Sequence, residues 1–108
     1  MTARPQLVHG DLTGNVLFHP DLPPAVIDLS PYWRPSAFAS AVVVADALAW
    51  EGAGLELIDA AADEPDFGQC LVRALLFRIV TDHLFAGDRQ HEWLAPYRSA
   101  IRAALDLA

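Results

Sequence analysis

Three side chains in the first third of the chain have the types and spacing to do chemistry. Asp11 and Asn15 lie in His9-Gly10-Asp11-Leu12-Thr13-Gly14-Asn15, and Asp28 follows in Val26-Ile27-Asp28-Leu29. Phosphoryl transfer from ATP to a hydroxyl needs a carboxylate that orients the attacking group or takes its proton. It also needs oxygen ligands that hold Mg²⁺ against the phosphates. One acid in a loop, an amide a few residues on and a second acid after the next hairpin strand supply those groups. The same residues admit plainer readings. Asp and Asn favour turns because their side chains bond the local backbone, and Asp28 also fits an acid that ends a strand. His9 fits a hydrogen-bonded structural histidine better than a metal ligand.

Two kinds of element must position these groups. Residues 6–30 carry three short apolar runs, Gln6-Leu7-Val8, Val16-Leu17-Phe18 and Ala25-Val26-Ile27. Gly10-Asp11, Gly14-Asn15 and Asp21-Leu22-Pro23-Pro24 separate or bound them, so they read as strands. The last two form a hairpin with His19 to Pro24 as its loop, and strand pairing then returns Asp28 to the neighbourhood of Asn15. Residues 36–108 read as helices. Ser36 is placed to cap a helix from Ala37 to Trp50, which Gly52 and Gly54 end. Leu55 to Ala62 is a short helix or an irregular connection. Asp66 is placed to cap a long helix from Phe67 to Phe85, with Phe67, Leu71, Leu75, Ile79 and Leu84 in its apolar set and Gly87 as its stop. A last helix runs from Glu92 to Leu107, where Leu94, Tyr97, Ile101 and Leu105 give one apolar face and Pro96 falls in the first turn or at a kink. The expected class is α+β: a small hairpin and loop region followed by a helical bundle, in a single domain over residues 1–108.

The run from Val8 to Leu17, with Ala25-Val26-Ile27-Asp28, resembles the catalytic and metal-binding loops of the aminoglycoside phosphotransferase and choline kinase-like superfamily. Members share the protein-kinase-like fold. Ala45-Asp46-Ala47-Leu48-Ala49 resembles the Asp-Leu-Ala helix of that family, and together the similarity spans residues 7–50. The resemblance implies Asp11 as catalytic base, Asn15 and Asp28 as Mg²⁺ ligands that also serve the nucleotide, and His9 as a brace for the loop. It implies Asp46 as a buried acid that hydrogen-bonds the backbone of the catalytic loop. Mg²⁺ and ATP are the implied cofactors and a small-molecule alcohol the implied substrate; aminoglycoside, choline and sugar acceptors all fit.

The sequence departs from the family pattern in three places. Only Leu12, Thr13 and Gly14 separate Asp11 from Asn15, where the kinase pattern has four residues; Gly14 is placed to absorb the difference with an unusual backbone conformation. Leu29-Ser30 stands where an aromatic residue or a Phe-Gly pair usually follows the metal aspartate. The nucleotide-binding lobe, with its glycine-rich loop and phosphate lysine, would precede His9, where eight residues stand. The expectation is a C-terminal lobe, weakly active or inactive alone, that needs the N-terminal lobe to bind ATP.

Composition narrows the alternatives. Hydrophobic residues make up 54% and charged residues 19% of 108, which excludes disorder. Fourteen acids against seven bases give a net charge of −7, and no basic patch for nucleic acid is present. All seven bases are arginine, so no lysine Schiff base or Walker-type lysine exists in the chain. Cys70, the one cysteine, forms no internal disulfide. The apolar stretch Ala37 to Trp50 contains Asp46 and is too short for a bilayer, and the N-terminus has no signal-peptide pattern, so a cytoplasmic location is expected. A chain of this size hides so much apolar surface with difficulty; an apolar face that meets a second copy or a missing lobe is therefore expected. The runner-up function is a non-catalytic interaction or dimerisation module derived from a kinase lobe. A third reading, a metal-dependent hydrolase built on His9, Asp11, His19 and Asp28, requires both histidines to converge on the ion. Pro31-Tyr32-Trp33-Arg34-Pro35 reads equally as a substrate rim or as packing over the next helix, and Asp59, Asp63, Glu64 and Asp66 read as a solvated loop.

Overall fold

The computed structural model describes residues 3–86 and 94–107. Four short strands come first: β1 (Gln6–His9), β2 (Val16–His19), β3 (Leu22–Val26) and β4 (Pro31–Arg34). Helices follow: α1 (Ser36–Trp50), α2 (Glu56–Ala61), α3 (Phe67–Ala86), a 3₁₀ turn (Ala95–Tyr97) and α4 (Arg98–Leu107). The α+β class is as expected. The strands make two separate antiparallel ribbons, β1 with β4 and β2 with β3.

The β2–β3 hairpin is tighter than its sequence suggests. His19 pairs with Leu22, so Pro20 and Asp21 alone form the turn, and Pro23 and Pro24 belong to β3 rather than to a loop. Proline is tolerated there because a two-stranded ribbon consists only of edges. β4 was not expected as a strand. Tyr32 lies opposite Val8 and Trp33 opposite Leu7 across the ribbon, which ties the segment after Asp28 to the strand before Asp11.

The core lies between α1 and α3, with α2 and α4 closing its sides. Ala41, Val42 and Ala45 of α1 meet Leu71, Ala74 and Leu75 of α3, and Ile58, Ala100 and Ala104 join them. Alanine at these positions lets the helix axes approach closely. That closeness corrects two expectations. On α4 the buried face runs through Tyr97, Ala100 and Ala104, while Leu105 is exposed. On α3 the buried set stops short of Leu84, which is also exposed.

The helix ends differ in detail from the capping pattern. Ser36 is the first helical residue after an N-cap at Pro35, and its hydroxyl donates to Glu64 Oε1 at 3.1 Å, so it pins α1 to the α2–α3 connection. Gly52, at φ +73°, turns the chain so that the Ala53 N–H reaches the Ala47 carbonyl at 3.1 Å. Asp66, at φ +62°, offers its carbonyl to the Cys70 N–H and its carboxylate to the Ala3 N–H at 2.8 Å. Pro96 falls in the 3₁₀ turn that precedes α4. The expected stop at Gly87 and the helix start at Glu92 lie outside the described residues. Among the described residues, no helix is long and apolar enough to cross a membrane.

Candidate functional site

The loop between β1 and β2 is held by a short-range lattice that its own residue types dictate. The Asn15 N–H returns to the Leu12 carbonyl at 2.9 Å, which closes a four-residue turn. Gly14 is third in that turn with φ +82°, a conformation costly for any residue with a Cβ. This is the unusual backbone expected of Gly14, and it accommodates the short spacing from Asp11 to Asn15. The Asn15 side-chain amide donates to the Asp11 carbonyl at 2.7 Å, which fixes the carboxamide against the loop.

His9 clasps the loop to the hairpin. Its Nδ1 accepts the Asp11 N–H at 3.0 Å, so the ring proton sits on Nε2, which lies 3.2 Å from the Ile27 carbonyl and donates to it. The Ile27 N–H donates to the Asn15 carbonyl at 2.9 Å. Both peptide groups of Ile27 are thereby tied to the loop, and Asp28 is the next residue. Asp28 has φ +49°, a left-handed conformation that Asp adopts more readily than most residues. Its carboxylate makes no hydrogen bond to the described residues.

With both ring nitrogens engaged, His9 has no lone pair for a metal. His19 is exposed at the hairpin turn, where its Nδ1 accepts the Asp21 N–H at 3.1 Å. The two histidines do not converge, which removes the hydrolase reading. Among the described residues, no group of three or more His, Cys, Asp or Glu side chains gathers as a metal site; the candidate set is two carboxylates and one carboxamide.

Gly10 is fixed by close approach. Its N–H donates to the Ser30 carbonyl at 2.8 Å, and a Cβ here would overlap the Tyr32 ring. Tyr32 in turn packs edge-on against Phe77 of α3 at 5.8 Å between centroids. The Pro31–Pro35 segment thus packs through Tyr32, while Trp33 is exposed.

Arg78 of α3 is the functional candidate that the sequence did not reveal. Its Nε and Nη2 donate to the two oxygens of Asp46 at 2.8 and 2.7 Å, a bidentate fork of the kind guanidinium and carboxylate form best. The same Nη2 donates to Asp11 Oδ1 at 2.9 Å. Burial works against the Arg78 charge, but the hydrogen bonds and charges of Asp46 and then Asp11 outweigh it and push its pKa above the usual guanidinium value. Asp46 is buried, as its place in an apolar helix suggests. It reaches the loop differently from what the resemblance implies, through Arg78 and the Asp11 side chain rather than by a bond to the loop backbone. Asp11 Oδ2 takes no hydrogen bond from the described residues, and the Asp11 side chain is half exposed. The Thr13 hydroxyl, midway along the loop, is buried without a partner among the described residues, the kind of orphan that a bound water or ligand commonly satisfies.

A second polar chain lies one helical turn beyond Asp46 and Arg78 on α1 and α3. Trp50 Nε1–H donates to the Tyr97 hydroxyl at 3.1 Å, and that hydroxyl donates to Asp82. Burial, then the bond to Asp82, pushes the Tyr97 pKa up to about 12. Cys70 is a core thiol whose pKa burial raises; Arg73 opposes this and Asp66 and Glu64 add to it, so no reactive thiolate is prepared there.

The chain matches no family model, no curated protein and no solved structure.

Proposed function

We propose that this chain is the catalytic lobe of an ATP- and Mg²⁺-dependent phosphotransferase that acts on a small-molecule hydroxyl. The observation that carries the reading is the His9 clasp. One imidazole joins the Asp11 N–H to the Ile27 carbonyl, so the loop with Asp11 and Asn15 and the strand end with Asp28 form one hydrogen-bonded unit. The donor set suits the ion: carboxylate and carboxamide oxygens are hard ligands, and Mg²⁺ takes one or two carboxylates with phosphates and water completing its shell.

Asn15 and Asp28 hold the metal in this reading. Asn15 spends its NH₂ on the Asp11 carbonyl and so keeps its side-chain oxygen for the ion, while the Asp28 carboxylate has no competing bond from the described residues. Asn15 and Asp28 would hold Mg²⁺, which would supply positive charge to offset that of the transferring group. Asp11 receives the acceptor hydroxyl on Oδ2 and takes its proton, while Arg78 anchors Oδ1. His9 and Asp46 are support: one holds the loop backbone, the other fixes Arg78. ATP binding is assigned to this lobe together with an N-terminal nucleotide-binding lobe. In a version carrying such a lobe, Asp11→Ala and Asp28→Ala should each abolish turnover with little loss of folding. Near-normal rates in either variant would refute the assignment.

A second reading, a non-catalytic interaction module, is favoured by one feature. Leu17, Phe18, Leu22 and Val26 of the β2–β3 ribbon are all more than half exposed, and the register divides them between the two faces of the ribbon, apolar surface suited to a companion lobe or a second copy. A chain that runs as a dimer and takes up no Mn²⁺ at Asn15 and Asp28 would favour it over the first.

A further inference from the structure

The face of α3 that looks toward β4 carries exposed apolar side chains beside an aromatic cluster. Arg73, Leu76, Phe77 and Val80 recur at spacings of three and one, a single helix face. Leu76 and Val80 are each more than half exposed, although both flank an aromatic floor. That floor is a trio: Phe77 meets Tyr32 of β4 edge-on at 5.8 Å and Phe38 of α1 at 6.1 Å, tilted. Arg34, two residues beyond Tyr32 and on the same face of β4, supplies the opposite rim. Together they bound a groove of 430 Å³, within the range of small-molecule sites, about 300–1,000 Å³.

The charge of the groove reverses that of the chain. Acids outnumber bases fourteen to seven overall, yet two arginines and no acid line this groove. Arg73 makes no ion pair or hydrogen bond with the described residues, and Arg34 spends Nη1 on the neighbouring Trp33 carbonyl alone at 2.7 Å. Two guanidinium groups lining a groove with an aromatic floor match an oxyanion on a flat apolar body.

We infer that this groove binds a small soluble aromatic oxyanion, such as an aryl carboxylate, with Arg34 and Arg73 as anion contacts and Tyr32, Phe38 and Phe77 beneath the ring. The inference goes beyond the phosphotransferase reading and does not require Asp11 to act on anything.

The test is amide-shift mapping of the ¹⁵N-labelled chain titrated with 2-naphthoate, with neutral 2-naphthamide as the control. Saturable shifts should centre on residues 32–34 and 73–80. The amide should bind about tenfold more weakly, as expected for losing a charged hydrogen-bonded contact at an open site. Arg34→Gln with Arg73→Gln should weaken naphthoate by a similar factor and leave the remaining spectrum unchanged. Equal binding of the amide, shifts centred on the β2–β3 ribbon, or undiminished binding to the double variant would overturn the inference. So would groove shifts that follow protein concentration without ligand, which would mark a second copy as the occupant. If the double variant lost its fold, the comparison of naphthoate with naphthamide on the native chain would still decide.

Discussion

The Arg78 guanidinium meets the Asp11 carboxylate at 2.9 Å, although 67 positions of sequence separate them. The contact joins the helical bundle to the loop, and Asp46 makes it rigid by holding the rest of the guanidinium. Arg78 and Asp46 are both largely buried, so neither tolerates loss of the other. Arg78→Leu should destabilise the chain by about 3 kcal/mol, because it strands a buried carboxylate. Adding Asp46→Leu should recover a large part of that loss, since an apolar pair replaces a buried ion pair at little net cost. Urea unfolding of the wild type, both single variants and the double variant measures the coupling. Simple additivity would show that the pair is not a unit.

Gly10→Ala offers a test of how the loop is seated. The new methyl group would overlap the Tyr32 ring, and that ring is backed by Phe77, so it has little room to retreat. Overpacking of this kind costs about 1–3 kcal/mol. Tyr32→Ala in the same chain should relieve the clash, at the expense of its own packing. Thermal unfolding of the two single variants and the pair reads the outcome; a harmless Gly10→Ala would contradict the close approach.

Tyr97 predicts an alkaline limb in the stability profile. Its folded-state pKa of about 12 lies above the ordinary 10.0. The neutral hydroxyl therefore contributes its full stabilisation below pH 10, and the contribution is lost as pH rises toward 12. Tyr97→Phe should cost about 1–2 kcal/mol at neutral pH, because Asp82 and Trp50 lose a partner, and should flatten the profile between those values. Denaturation midpoints at stepped pH check both effects. A limb that persists in Tyr97→Phe would place its origin elsewhere.

Much of the fold was legible because its signals are local. The apolar runs at Val16 and Ala25 and the breakers at Gly52 and Gly54 mark strands and a helix limit directly. β4 was not legible: Pro31 to Pro35 reads equally as a substrate rim or as packing over the next helix, and the strand exists only because Tyr32 lies against Gly10 and pairs across to Val8, partners more than twenty positions away. The buried face of α4 was misread for a related reason, since large residues were weighed over Ala100 and Ala104, whose smallness is what permits close packing. In the candidate site, the role of Gly14 follows from neighbours in sequence, whereas His9 reaches Ile27, 18 positions on. Asp46 signalled burial as a lone acid among apolar residues. Arg78 carries the same signal within Leu75-Leu76-Phe77-Arg78-Ile79-Val80, and a buried charge requires a counter-charge. Pairing the two lone charges of the core helices was the available inference.

In the proposed phosphotransferase, Asn15 and Asp28 share one ion beside Asp11. Manganese tests it most directly, because paramagnetic Mn²⁺ takes the oxygen ligands that Mg²⁺ does and broadens the resonances nearest to it. Titration of the ¹⁵N-labelled chain with Mn²⁺ should broaden the amides of Asp11, Asn15 and Asp28 first and together, and Asp28→Ala should abolish the effect. Broadening that begins in the acidic segment from Asp59 to Asp66, or that survives Asp28→Ala, would contradict the account.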